Sequence, residues 1–562
     1  MALVTINTSA EDTRSSCSCV ASSCLDAPAA METFSDELVF PGISQPAKAT
    51  ETGRSYGQIL KSSALVGGSQ IANIAIGIGR TKAMALLLGP SGFGLFGLYG
   101  TIVSLTQTIA GMGINSSGVR QIAEAVSSGD NTQVAQTTAV LRRISIVLGL
   151  LGAACLLIFS RQISRLTFGD TQRASAVALL SIAVFFTLVS AGQGALIQGM
   201  RRIADLAKMS VFGALFGACT SVPLVYFFRE RGVVPSLICV AAMTIFTSWW
   251  YSRKLGIEPV AVTLPQIRQE ASSLLKLGSA FMASGFLTMG VAYFVRIVVL
   301  RKLGFEAMGL YQSAWTLGGL YVGIILQAMG ADFYPRLTAS IKDHSECNRL
   351  VNEQTLIGLL VAAPGVLATL TFAPLVISLL YSPRFAAAVV VLRWICLGAL
   401  LQVVSWPMGF IVIAKGKQVL FFVSEFAWAV VAALAAWFCL QRFGLQGAGI
   451  AFFLSYGFHG FFSYAIARHL TDFHLSADTK RTGFVFFPLV ALVFSVFFVV
   501  PFLWAASFGT LIALGSGVYS IRTILHHTTS DRLPRPLRRA LLLLGMLKPS
   551  ATDSSRLAED CQ

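Results

Sequence analysis

Leu88-Gly89-Pro90-Ser91-Gly92-Phe93-Gly94-Leu95-Phe96 is answered 215 residues later by Leu303-Gly304-Phe305-Glu306-Ala307-Met308-Gly309-Leu310-Tyr311. Each copy sets two glycines five residues apart, then opens a long apolar segment. Basic residues precede both: Arg80 and Lys82 in the first, Arg296, Arg301 and Lys302 in the second. Chance recurrence is the competing reading in a chain with 50 glycines, but the repeated basic residues favour a true repeat. Six apolar segments separate the copies. That number is even, so both turns face the same side of a membrane. The two halves are then related by an axis along the membrane normal.

Working outward from these turns, fourteen apolar segments fill the chain from Ile59 to Ile521. They are predicted as helices over 59–78, 95–114, 144–159, 176–196, 209–228, 233–251, 277–300, 308–329, 356–380, 389–413, 419–440, 447–467, 484–504 and 506–521. Most reach 19 residues, the length that crosses a hydrocarbon core of about 30 Å. Inside lipid only a helix satisfies every backbone group within its own segment. The fold class is therefore an all-α polytopic membrane protein. Twelve helices form two six-helix lobes, and a C-terminal pair is added. The last segment is short enough to be re-entrant. The expected divisions are a disordered tail over 1–54, a lobe over 55–252, a cytoplasmic linker over 253–276, and a second lobe over 277–470. The extra pair at 480–522 and a basic tail at 523–562 follow.

Composition removes several classes. Hydrophobic residues make up 55% of the chain and charged residues 12%, about half the charge of a soluble domain. A net charge of +16 would suggest nucleic acid in a soluble protein, but no basic stretch alternates with aromatics outside the apolar segments. Topogenic loop charge explains it better. With the N-terminus inside, the inner loops hold 18 Lys and Arg, the outer loops 12, and the tails add 11 to the inside, so both termini are placed in the cytoplasm. Cys155, Cys219, Cys239, Cys396 and Cys439 lie within apolar segments, and Cys17, Cys19 and Cys24 match no zinc spacing, so neither a metal nor a cofactor is called for. The nearest approach to a nucleotide loop, Ala414-Lys415-Gly416-Lys417-Gln418, lacks the upstream glycine and the Ser/Thr of that motif. No catalytic constellation stands out.

Charges in or beside the apolar segments are the candidate functional residues, since burying each costs about 2.5–3.5 kcal/mol or more. Arg296 follows nineteen uncharged residues, and either lines a cavity or snorkels to headgroups. Glu425 lies within segment eleven, where Lys415 and Lys417 are candidate partners. Asp332 and Arg336 stand four apart, a pairing distance on a helix. His459, between Gly457 and Gly460, reads as a packing histidine or as a proton relay. Arg80 and Lys82 sit on the outer side against the positive-inside trend, as a site for an anionic substrate would require.

The stretch from Gly79-Arg80-Thr81-Lys82 through Gly94-Leu95 resembles the first-loop signature of bacterial O-antigen and polysaccharide translocases. These are lipid-linked oligosaccharide flippases of the multidrug/oligosaccharidyl-lipid/polysaccharide exporter superfamily. Further likeness lies in Gly199-Met200-Arg201, in Gly309-Leu310-Tyr311-Gln312 through Tyr334-Pro335-Arg336-Leu337, and in Tyr381-Ser382-Pro383-Arg384-Phe385 through Ile413-Ala414-Lys415. It spans about 55–470 in order. One position departs: family members often carry an acid just before the helix-seven arginine, and here it is Val295.

The resemblance implies two lobes around a central cationic cavity, and a substrate that is an undecaprenyl-pyrophosphate-linked oligosaccharide. It would be moved between leaflets of the bacterial cytoplasmic membrane for O-antigen or exopolysaccharide assembly. Arg80, Lys82, Arg296 and Arg336 would bind the substrate, with Asp332, Glu425 and His459 as coupling or pairing candidates. Membrane lipids, a polymerase and a chain-length regulator would be partners. The rivals are a multidrug/cation antiporter of the same fold, a lipid-linked peptidoglycan-precursor flippase, and an enzyme such as a membrane glycosyltransferase or polymerase. Scarce mid-segment acids oppose the antiporter, and the lack of acids from Arg80 to Gly94 opposes the glycosyltransferase.

Overall fold

A computed structural model describes residues 52–257, 260 and 262–527, with most of the side chains from Gly67 to His526. The tails at 1–51 and 528–562, and the readings made for them, lie outside the described residues. Among the described residues there is no strand. Fourteen α-helices follow in order. They are α1 Thr52–Gly111, α2 Ile114–Ser127, α3 Asn131–Ile158, α4 Ser160–Phe168, α5 Ala174–Gly199, α6 Ile203–Phe228 and α7 Val233–Arg253. The second half holds α8 Leu264–Ala339, α9 His344–Leu380, α10 Ala388–Ala414, α11 Gln418–Phe443, α12 Gln446–Thr471, α13 Ala477–Val499 and α14 Phe502–His527. Among the described residues eleven stretches are long and apolar enough to cross a membrane, and the chain is a multi-pass membrane protein.

The two repeated turns are single residues. α1 breaks at Gly89 (φ 65°, ψ −176°) and α8 at Gly304 (φ 85°, ψ −178°), a conformation that only glycine adopts without strain. Packing registers show that the chain reverses at each. The first limb of α1 runs parallel to α6, since Asn73 meets Ser210 and Arg80 meets Ser221. Its second limb, continued by α2, runs parallel to α5, with Gly111 against Leu188, Gly118 near Ala195 and Ile122 against Gly199. α5 is parallel to α7 through Ser190–Thr244 and Gln193–Ser248, whereas α6 and α7 are antiparallel.

The second half repeats the plan. The first limb of α8 follows α11 (Val291 near Trp428, Lys302 over Trp437), and its second limb follows α10 (Gly318 at Ile395, Phe333 at Phe410). α10 is parallel to α12, and α11 is antiparallel to it. The equivalence of Gly89 and Gly304 therefore extends from sequence to backbone to helix order. α13 and α14 pack on α9, where Gly509 sits tight against Thr371, and α13 also reaches α10 through Phe494 on Trp394. The fourteenth segment is a full helix of 26 residues and not a short re-entrant one.

Several boundaries differ from expectation for one reason: helices continue past their apolar stretches as amphipathic extensions. The expected linker 253–276 is helical from Leu264, with a capping box between Thr263 and Gln266. The expected connection 330–355 holds only the turn at 340–343, where Asp343 caps α9. α2, unforeseen, buries Ile114, Gly118, Ile122 and Ala125, a helical period too polar overall to read as a span.

Candidate functional site

The two halves meet at two tight crossings. At the Gly89 end, a methyl on Gly94 would lie 2.6 Å from the Gly309 backbone nitrogen and 2.7 Å from the Phe305 carbonyl oxygen. Around this contact Phe93 packs on Tyr381 and Phe385. Arg173 covers both Phe168 and Phe305, and Arg301 donates to the carbonyls of Arg165 and Leu166. Two cations thus tie the halves together at this end. At the opposite end Gly278 meets Gly113 so closely that a methyl on Gly278 would lie 2.0 Å from the Met112 carbonyl oxygen.

Between the crossings lies a cavity of about 650 Å³. The second limb of α1 supplies Phe96, Gly97, Thr101 and Ser104, and α8 supplies Thr288, Arg296, Tyr311, Gln312, Trp315 and Thr316. α10, α11 and α12 contribute Gln402, Trp428, Phe452, Ser455 and Tyr456. Arg296 is 5% exposed and is the one charged side chain in this wall. Its Nε donates to Gln312 Oε1 at 3.1 Å and its Nη1 to the Ala292 carbonyl at 2.9 Å. The guanidinium lies 5.8 Å from the Tyr311 ring centroid and 5.5 Å from that of Trp315. No carboxylate pairs with it among the described residues. Gln312 then donates from Nε2 to Thr316 Oγ1 at 3.2 Å, which fixes the amide's orientation. Gly97 presses on this same amide: a methyl there would lie 2.6 Å from the Gln312 side chain. Arg296 is held by groups of α8, and the first half of the chain reaches it through Gly97 on the Gln312 amide.

One turn farther from the Gly304 end, Glu425 Oε1 stands 3.7 Å from His459 Nε2, and His459 Nδ1 meets Ser405 Oγ at 3.0 Å. Trp428 and Tyr456 separate this pair from the cavity and also touch the imidazole. The Tyr456 hydroxyl bonds Gln402, whereas the buried Trp428 Nε1–H has no partner among the described residues.

The predicted residues divide accordingly. Arg296 lines the cavity. Glu425 pairs with His459 instead of Lys415, which meets His344 and the Leu470 carbonyl. His459 is buried between α10 and α11. Arg80 is half-buried behind the wall, donates to Ser221 at 3.0 Å and covers Phe96, leaving Nη2 buried without a partner among the described residues. Lys82 is half-buried on the same limb and Arg336 is exposed in the last turn of α8; neither lines the cavity. The Asp332 side chain lies outside the described residues. The expected cationic cavity is thus an aromatic and amide cavity with a single guanidinium. Gln312 stands in the family-like stretch Gly309-Leu310-Tyr311-Gln312 with no role attached, and the sequence gives no sign of Trp315, Gln402, Trp428 and Tyr456. Apolar periodicity cannot tell an inward aromatic from a lipid-facing one.

Comparison with known proteins agrees with this architecture. A lipid III flippase of Escherichia coli K12 is 23% identical over 411 residues, covering 71% of this chain and 95% of that protein. A Shigella flexneri protein named as an O-antigen transporter is 24% identical over 375 residues, covering 65% of this chain and 87% of its own. Among solved structures, the lipid II flippase MurJ in an inward closed conformation matches with a TM-score of 0.63 at 12% identity, over 82% of this chain and 99% of that one. An inward-facing multidrug resistance transporter of the MATE family matches at 0.59 and 16%, over 72% and 99%. These two likenesses establish a shared fold. The family model described as polysaccharide biosynthesis protein matches residues 83–390, more than half of the sequence, and the chain belongs to that family.

Proposed function

We propose that this protein is a flippase that carries a polyprenyl-pyrophosphate-linked oligosaccharide from the inner to the outer leaflet of the bacterial cytoplasmic membrane, for surface polysaccharide assembly. The observation that carries the reading is the cavity between the repeats. Its one cation, Arg296, is buried without a carboxylate partner, among aromatic faces and amides. That chemistry suits a sugar diphosphate. The free edge of the guanidinium offers charge-assisted hydrogen bonds to a phosphate. Tyr311, Trp315, Trp428 and Tyr456 offer flat apolar faces to sugar rings, and the amides of Gln312 and Gln402 and the unpartnered Trp428 N–H offer polar contacts to hydroxyls. The names of the two relatives, lipid III flippase and O-antigen transporter, support the same substrate class.

In this reading residues 55–252 and 277–470 act as two lobes and both termini face the cytoplasm. The Gly94–Gly309 crossing closes the outer end and the Gly113–Gly278 crossing the inner end. Transport alternates which crossing is open, while the lipid tail stays in the bilayer. Arg296 binds the pyrophosphate, and the Glu425–His459 pair beneath Trp428 and Tyr456 is the candidate coupling element. The basic residues Arg80, Lys82 and Arg336 act outside the cavity, and a polymerase and chain-length regulator are the expected downstream partners. Deleting the gene should leave lipid-linked repeat units on the cytoplasmic leaflet and abolish one surface polysaccharide. Normal polysaccharide in the deletion strain, or glycosidic bond formation by the purified protein, overturns the proposal.

A further inference from the structure

A second, smaller pocket shares no residue with the transport cavity. It occupies about 270 Å³ between α3, α5 and α7, and its polar lining is Arg142, Ser145, Gln193, Trp249, Ser252 and Arg253. Two guanidiniums thus face one small space with no carboxylate in its wall. Arg142 is half-buried and makes no hydrogen bond or ion pair to any described residue. Arg253 lies over the Trp249 ring, 4.2 Å from its centroid. Gln193 accepts from Ser248 Oγ at 2.5 Å, which turns its amide nitrogen away as a further donor. Ser145 and Ser252 spend their protons on the Leu141 and Trp249 carbonyls and so present only lone pairs. The donors therefore include two cations and an amide beside the Trp249 indole, and all suit one small oxyanion.

The surroundings add a second half to the ligand. Arg142, Ile146 and Leu150 succeed one another at four-residue steps on α3, and Ile146 and Leu150 are 43% and 56% exposed. An apolar ridge therefore rises directly from the anion pocket along a membrane-spanning helix. Next to Arg253, Lys254 covers both Trp250 and Tyr251, and Trp249 and Trp250 are exposed. Exposed indoles with basic residues in the last turn of an apolar helix mark a headgroup boundary. This end of α7 is opposite the α6–α7 turn, where Arg229 donates to the Leu87 carbonyl beside Gly89. A free anion would use the guanidiniums but not the ridge. An amphiphile uses both.

We infer that this pocket is a binding site for an anionic phospholipid, with its phosphodiester between Arg142 and Arg253 and one acyl chain along Ile146 and Leu150. Basic pockets between helices at the cytoplasmic boundary recognise such headgroups by charge. The site is independent of the transported molecule and lies wholly within the first half of the chain. Its occupant braces α3 against α7 across α5.

The test uses the full chain in detergent, followed by native mass spectrometry and thermal unfolding with phosphatidylglycerol, phosphatidylcholine or inorganic phosphate. Wild type should retain phosphatidylglycerol over phosphatidylcholine by about tenfold or more, the scale that two basic residues supply. Arg142→Gln with Arg253→Gln should erase that preference, and Arg143→Gln, an exposed neighbour outside the pocket, should keep it. If the double variant does not reach the membrane, Arg253→Gln alone carries the test, since that side chain is exposed. Equal retention of the two lipids, or a preference that survives the double variant, overturns the inference. Displacement of phosphatidylglycerol by millimolar phosphate overturns it in favour of a free-anion site.

Discussion

Gly94→Ala is the sharpest perturbation of the proposed transport cycle, because it acts on the backbone contact that closes one end of the cavity. A methyl there would sit 2.6 Å from the Gly309 nitrogen and 2.7 Å from the Phe305 oxygen. Carbon contacts are comfortable from about 3.5 Å, so the two helices must separate by roughly 1 Å. Both neighbours are backbone atoms next to the Gly304 break, so no rotamer change relieves the overlap. Overpacking of this kind costs about 1–3 kcal/mol. The cost falls on the conformation in which this crossing is closed, and is relieved when it opens. A bias of that size shifts a two-state equilibrium by about 5- to 150-fold. The assay is labelling of a cavity cysteine, Ser104→Cys, by a membrane-impermeant maleimide added to intact cells. Gly94→Ala should raise labelling from outside relative to Ser104→Cys alone. Gly278→Ala, at the opposite crossing, should raise labelling in inside-out vesicles instead. Unchanged outside labelling in Gly94→Ala protein present at normal membrane level would refute the view that this glycine pair is a gate.

Arg296→Ala should abolish complementation of a deletion strain at near-normal membrane levels, and Arg296→Lys should be intermediate because it keeps charge but loses the planar fork; full surface polysaccharide from Arg296→Ala would end its role as pyrophosphate anchor. Gly97→Ala pushes on the Gln312 amide that orients Arg296, and should lower transport without loss of protein; a further Gln312→Ala should restore nothing, and wild-type transport in Gly97→Ala would show the amide contact to be idle. Glu425→Gln and His459→Gln should each impair transport, with the double variant no worse than the poorer single; additive losses would mean that the two side chains act independently. Reporter fusions after Gly169 and Phe305 should report the outside, and those after Gly129 and Asp343 the inside; the reverse pattern at these four sites would sink the proposed two-lobe topology.

Much of this molecule is legible in one dimension, because lipid imposes a simple rule. An apolar stretch of sufficient length must be a helix, so the class and most spans follow from hydropathy alone. The repeat at Gly89 and Gly304 is equally local, since a positive φ at a reversal calls for glycine wherever it occurs. Polar helical extensions escape that rule, which is why the sequence places a linker over 253–276 where the helix has already begun at Leu264. The site was only half visible. Burial cost drew attention to Arg296, Glu425 and His459, and the fold gathers these around one aromatic cavity. The same argument drew equal attention to Arg80, Lys82 and Arg336, which the fold leaves behind the wall or at a helix end. Charge and hydropathy report how far along the membrane a residue lies. Which way its side chain turns, toward lipid, a neighbouring helix or the space between two repeats, is set by helix rotation and by contacts hundreds of residues apart, and only tertiary packing decides that.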